Sequence, residues 1–198
     1  MIHMHPTPPI SSFHVFFTTL AKKQHYDQLL LLYTRRGFYP NAVTFNCLIN
    51  DLCMEVKIKK AIELLRKMGS FGCTPDVITF GTLITGYCRT GNVTNALQLF
   101  EEILDGNGKY GSICKLDIVC YGSVIDGLCE YGLIDKAKKL FLEMKSRGIN
   151  PNVVTYNSLI YGLCNTSNGE EAKTLFMEML DEGVQLDVVT FNVVMDEI

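Results

Sequence analysis

Amide and carboxylate side chains recur along this chain in two columns. Asn46, Asn157 and Asn192 each follow a Thr-aromatic pair, at the place that Gly81 and Gly122 take in two further copies. Asp76, Asp117, Asn152 and Asp187 stand three residues ahead of the next copy. An amide both donates and accepts a hydrogen bond and a carboxylate only accepts, so the chemistry on offer is recognition. Nothing adds a reaction to it. His3, His5, His14 and His25 all fall in the first 25 residues, and no His-Glu-x-x-His, Gly-x-Ser-x-Gly or phosphate-loop motif is present. The chain is therefore read as no enzyme, with no metal, cofactor or small-molecule substrate.

The 8 cysteines invite a metal or disulfide reading that their spacing removes. Cys53, Cys88, Cys129 and Cys164 recur once per copy, without a Cys-x-x-Cys motif. Stacked helices lie about 8–10 Å apart, beyond the roughly 7 Å between Cα atoms that a disulfide tolerates. These four are read as small buried hydrophobes. Cys73 and Cys114 are candidates for surface thiols, with no His or cationic pair beside them in the sequence.

The elements that must carry these columns follow from the period. Thr44-Phe45-Asn46, Thr79-Phe80-Gly81, Cys120-Tyr121-Gly122, Thr155-Tyr156-Asn157 and Thr190-Phe191-Asn192 are spaced 35, 41, 35 and 35 residues apart. Self-similarity of this size marks a solenoid of stacked units, none able to bury its apolar face alone. Ala61, Ala96, Ala137 and Ala172 share one offset within an apolar stripe at helical spacing, such as Ile134, Ala137, Leu140, Phe141, Met144. That stripe is a second helix, and the first begins near the Thr-aromatic pair. The fold class expected is all-α, an α-solenoid of about five helix-turn-helix units of about 35 residues.

Glycine and capping residues punctuate the units. Glycine costs about 1 kcal/mol inside a helix, so Gly86, Gly127 and Gly162 in register imply close approach by a neighbouring helix. Gly72, Gly148 and Gly183 sit where second helices should end, with Pro75 and Pro151 soon after. Ser167-x-x-Glu170 reads as a capping box and Asn92 as an N-cap. The 41-residue spacing reflects a glycine-rich insertion between Ile103 and Asp117, expected to be a surface loop at an inter-helix turn. The single array then divides into a shortened repeat at 10–41, repeats at 42–76, 77–117 (with the insertion), 118–152 and 153–187, and a truncated first helix at 188–198.

Composition limits the partners. No apolar run approaches the roughly 20 residues of a membrane span. The net charge is -3 and the pI about 5.8, unlike a protein that holds nucleic acid mainly through phosphates.

The segments Val153-Val154-Thr155-Tyr156-Asn157-Ser158-Leu159-Ile160, Glu171-Ala172-Lys173 and Gly148-Ile149-Asn150-Pro151-Asn152 resemble pentatricopeptide repeats of the plain P type. They are most similar to those of plant fertility-restorer-like proteins, and the resemblance covers residues 10–198. It implies a sequence-selective reader of single-stranded RNA, of the organellar RNA processing or stability type, with one base per repeat. It also implies a mitochondrion or other organelle, although no Arg precedes Arg35 and no transit peptide is visible. By resemblance the base-reading pairs are Asn46 with Asp76, Gly81 with Asp117, Gly122 with Asn152 and Asn157 with Asp187. His14 with Asn41 is a degenerate first pair, and Asn192 lacks its partner. Val43, Ile78, Val119, Val154 and Val189 would sandwich the bases. Arg89 and Lys22 would meet phosphates, whereas the equivalent Met54, Glu130 and Asn165 would not.

These columns have a second reading. Asp76, Asp117, Asn152 and Asp187 directly precede a helix, where N-capping alone selects Asp or Asn. Asn46, Asn157 and Asn192 lie inside a helix, where capping gives no reason for them. A Val on a helix is usually core. The competing functions are a helical scaffold that binds a partner protein in its groove, or a truncated repeat fragment without function. Under the RNA reading the pairs spell 5′-U-G-A-U-3′. The outer letters come from the two Asn/Asp pairs, giving a U-x-x-U preference, and the inner ones from Asp117 and Asn152 alone.

Overall fold

The computed structural model describes residues 40–105 and 115–197, and every regular element among them is helical. The shortened repeat proposed for 10–41 lies almost wholly outside the described residues. So do its His14, the other histidines, Lys22, Cys114 and residues 106–114 of the insertion. The helices are α1 (Ala42–Met54), α2 (Ile58–Met68), α3 (Val77–Arg89), α4 (Val93–Leu104), α5 (Ile118–Glu130), α6 (Ile134–Ser146), α7 (Val153–Asn165), α8 (Gly169–Asp181) and α9 (Val188–Glu197). The chain forms two compact units divided at Leu83/Ile84, within α3.

In the first unit α1 and α2 pair as a hairpin. Phe45, Leu48, Ile49 and Leu52 of α1 and Ala61, Leu64, Leu65 and Met68 of α2 are buried, as their helical spacing requires. A short 3-10 turn (Gly69–Phe71) brings Phe71 against Phe45, ring centroids 5.6 Å apart. Cys73, a surface-thiol candidate by sequence, is half-buried, and its Sγ donates to the Pro40 carbonyl at 3.3 Å. Burial pushes its thiol up, opposite to the shift a reactive thiolate needs.

In the second unit α5 pairs with α6 and α7 with α8, while α5, α7 and α9 lie side by side. The phenylalanine of one second helix meets the aromatic of the next first helix edge-on. Phe100 and Tyr121 stand 4.8 Å apart at 85°, and Phe141 and Tyr156 5.3 Å apart at 72°. The glycine column is where first helices touch. A Cβ on Gly127 would lie 2.8 Å from Cys88 Sγ, and one on Gly162 would lie 2.8 Å from both Cys129 Cβ and Ile134 Cδ1. Cys88 and Cys129 are thus the small residues that close over the next repeat's glycine. Cys53, Cys88, Cys129 and Cys164 are all buried, as expected.

Helix ends follow the glycine signals and depart from both capping signals. Gly72, Gly148 and Gly183 have φ of 71°, 75° and 71°, and in the two α-helical cases a 6→1 bond follows, Ile149 N–H to Met144 O and Val184 N–H to Met179 O, both 3.1 Å. The expected capping box at Ser167 does not form. Ser167 is itself left-handed at φ 62°, and α8 starts at Gly169 after Asn168, whose side chain makes no cap bond. Asn92 does precede α4, but its amide donates to Thr90 instead of capping. The cause is shared. Val56, Gly91, Gly132 and Ser167 occupy the same left-handed turn position between the helices of each hairpin, and that tight turn aims the following side chain away from the helix start.

Candidate functional site

Every first helix opens with the same short sequence of environments. The residue before it caps and the second helical residue points outward; in α3, α5 and α7 the next two are buried. Val43, Ile78, Val119, Val154 and Val189 are between 55 and 62% exposed. Of the two readings of this column, base-sandwiching and core, this exposure argues against core. The following Thr79, Thr155 and Thr190 are buried, with the aromatic after each of the first two. Phe191, in the last copy, is 57% exposed, since no second helix folds over it among the described residues.

The cap residues make the bonds their position predicts. Asn41 Oδ1 accepts from Thr44 N–H at 3.0 Å, Asn152 Oδ1 from Thr155 N–H at 3.0 Å, and Asp117 Oδ1 from the N–H groups of Val119 and Cys120 at 3.1 Å each. Asp76 and Asp187 do more. Asp76 Oδ1 accepts from Thr79 N–H at 2.9 Å and from Asn46 Nδ2 at 3.1 Å. Asp187 Oδ1 accepts from Thr190 N–H at 2.9 Å and from Asn157 Nδ2 at 3.0 Å. In both places the threonine hydroxyl closes the ring, 2.6 Å from Asn46 Oδ1 and 2.8 Å from Asn157 Oδ1.

These two Asn/Asp pairs are therefore assembled within hydrogen-bonding distance in the free protein. Asn46 and Asn157 are only 8 and 6% exposed. The sequence reading found no reason but function for an Asn inside these helices; the structure supplies another, since each amide ties one repeat's first helix to the cap of the next. The signal was available, as an Asn recurring 30 residues before an Asp and 33 before a Thr. Thr79 and Thr190 were missed as parts of the site. Burial pushes Asp76 up, but the donations from Thr79 and Asn46 outweigh it and leave the carboxyl below its ordinary range. Thr190 N–H and its hydroxyl, with Asn157, lower Asp187 in the same way.

The remaining sequence candidates are not joined in this manner. Asn152 keeps its cap bonds beside Gly122, which offers no side chain, and Gly81 and Asp117 belong to different units. Asn192 is exposed, as is Arg89. The exposed ends of α1, α5 and α7 carry Met54, Glu130 and Asn165 at the site equivalent to Arg89. Among the described residues no group of three or more His, Cys, Asp or Glu could hold a metal ion, and no helix is long and apolar enough to cross a membrane.

Paired helices on a fixed period, with first helices side by side and a repeated polar cap, define a helical-repeat α-solenoid. The PPR repeat family matches residues 40–89, 116–165 and 151–198, and the PPR repeat matches residues 78–107; the chain belongs to this family. Its fold is similar to that of the pentatricopeptide repeat protein PPR10 from maize, with a TM-score of 0.76 at 23% identity over 93% of this chain and 26% of that one. The same maize protein in complex with an 18-nt psaJ RNA element gives 0.75. The pentatricopeptide repeat domain of Arabidopsis thaliana protein-only RNase P 1, in complex with tRNA, gives 0.70 at 14% identity over 94% of this chain and 95% of that one. The chain spans about a quarter of the maize protein's length. Among curated proteins none matches its sequence.

Proposed function

We propose that this chain binds single-stranded RNA and reads it at about one base per repeat, as a member of the organellar RNA processing or stability type. One observation carries the reading: a branched aliphatic residue stands exposed at the second position of all five described first helices, two residues after the cap. Core packing does not place an apolar side chain outward at a fixed period of this kind, whereas a base stacked between successive aliphatic residues would cover it. The Asn/Asp pairs beside that column offer amide N–H and carboxylate groups to the edge of such a base. The maize relative's complex with an RNA element is in keeping with it. The organellar setting rests on the family resemblance.

In this reading Asn46/Asp76 and Asn157/Asp187 each select U, Asp117 favours guanine donors and Asn152 leans to adenine. Arg89 is the phosphate contact among the described residues, and binding is weak because net charge is -3. Filter binding against a random single-stranded RNA library is expected to enrich U-x-x-U. Equal retention of double-stranded and single-stranded RNA, or an unenriched pool, would remove the reading and favour a protein-binding scaffold.

A further inference from the structure

Two reading amides in this chain, those of Asn46 and Asn157, are held by a threonine from the following repeat. We propose that Thr79 and Thr190 are positioning residues that fix the orientation of the Asn46 and Asn157 amides, so that each U-reading letter is specified by three residues across two repeats. This rests on the RNA-reading function proposed above.

The two ends of each amide are held by opposite kinds of partner. The carboxylate takes an amide N–H at 3.1 Å in one cluster and 3.0 Å in the other. The threonine hydroxyl lies 2.6 and 2.8 Å from the amide oxygen, closer than the 2.9 and 3.0 Å that separate it from the carboxylate. That hydroxyl also accepts, from Asp76 N–H at 3.1 Å and from Asp187 N–H at 3.3 Å, which leaves its proton for the amide oxygen. Turning the amide over would set its oxygen against a carboxylate oxygen with no proton between them. Thr79 and Thr190 are buried, so no solvent competes for the hydroxyl. One amide N–H in each cluster is spent on the carboxylate, and the second is the group whose direction the threonine fixes.

The chain contains its own contrasts. Beside Gly122, where no amide exists, the Thr155 hydroxyl keeps the same contact with its cap, donating to Asn152 Oδ1 at 3.0 Å. A Cβ on Gly122 would lie 3.5 Å from Thr155 Oγ1, an ordinary contact, so an Asn placed there has room and a waiting partner. Behind Asp117 the threonine place is taken by Cys120, and the bonds described there are from backbone N–H groups.

The test uses the full chain and four single-stranded RNAs that differ only at the letter assigned to Asn46/Asp76. Fluorescence anisotropy should give the parent about a tenfold preference for U, within the range of good bidentate readouts. Thr79→Val should bring all four RNAs within about twofold of one another while circular dichroism retains the parent's helix content, and Thr79→Ser should restore the preference. Uniform weakening of all four RNAs by Thr79→Val, or an intact preference, would overturn the proposal. A parent that binds with no letter preference would overturn the RNA-reading function itself, and this inference with it. If Thr79→Val does not fold, Gly122→Asn decides: it should create a preference at its own letter, and adding Thr155→Val should abolish it. An equal gain with and without the Thr155 hydroxyl would refute the role.

Discussion

Gly162→Ala tests whether first helices meet through their glycines. In an open helix this change would stabilise by about 1 kcal/mol, because Ala is the better helix former. Here the new Cβ would lie 2.8 Å from Cys129 Cβ, 2.8 Å from Ile134 Cδ1 and 2.9 Å from Cys129 Sγ. Two of the three obstacles belong to a short side chain that cannot swing aside. Overpacking of this kind costs about 1–3 kcal/mol, which offsets or outweighs the helix gain, so the net expectation is a loss of up to about 2 kcal/mol, or a fall in melting temperature of up to roughly 8 °C for a chain of this size. Gly169→Ala is the control, because a Cβ there meets nothing within 4 Å and its φ is ordinary. It should stabilise by up to about 1 kcal/mol. Cys129→Gly removes both Cβ and Sγ and should make Gly162→Ala harmless, an interaction of about 1–2 kcal/mol in a double-mutant cycle read by urea denaturation. If Gly162→Ala stabilised the chain as Gly169→Ala does, the helices would not be in close approach, and the packing account of both the glycine and cysteine columns would fail.

Val56 is a branched residue at φ 61° and is exposed, so Val56→Gly should raise the urea midpoint by about 1 kcal/mol in equivalent stability, the left-handed penalty less the entropy of a freer unfolded chain; a lowered midpoint would contradict it. Asp76 and Asp187 titrate below the ordinary carboxylate range when folded, so their stabilisation is complete above the unfolded value and is lost as pH falls through the folded one. Asp76→Asn should therefore flatten the loss of stability below about pH 4, and an unchanged acid transition would count against the hydrogen-bonded carboxylate. Cys88 and Cys129 are pushed up to about 12, chiefly by burial, so at pH 8 about one in ten thousand is thiolate. An exposed-thiol reagent should leave both untouched until denaturant is added, and reaction at the rate of a free thiol would refute their burial.

The hairpins were legible in the sequence because the period repeats every local signal. Gly72, Gly148 and Gly183 end their elements as read, and the alanine column is buried in every described second helix. What local rules missed joins different repeats. Asn46 looked unexplained because helix rules reach three or four residues along one helix, whereas its partners are 30 and 33 residues away. Ser167 failed as a cap because a left-handed turn, shared with Gly91 and Gly132, decides where that side chain points. The outward valines had two readings in the sequence, core and base-sandwiching, and their exposure argues against the first.

The central claim is that Asn46 and Asp76 read a base. Selection from a random RNA pool, run in parallel on the parent and on the double variant Asn46→Thr with Asp76→Asn, tests it most directly. The parent should return U at the first letter and the variant should move that letter towards A, with the remaining letters unchanged; the same motif from both would show that this pair reads no base.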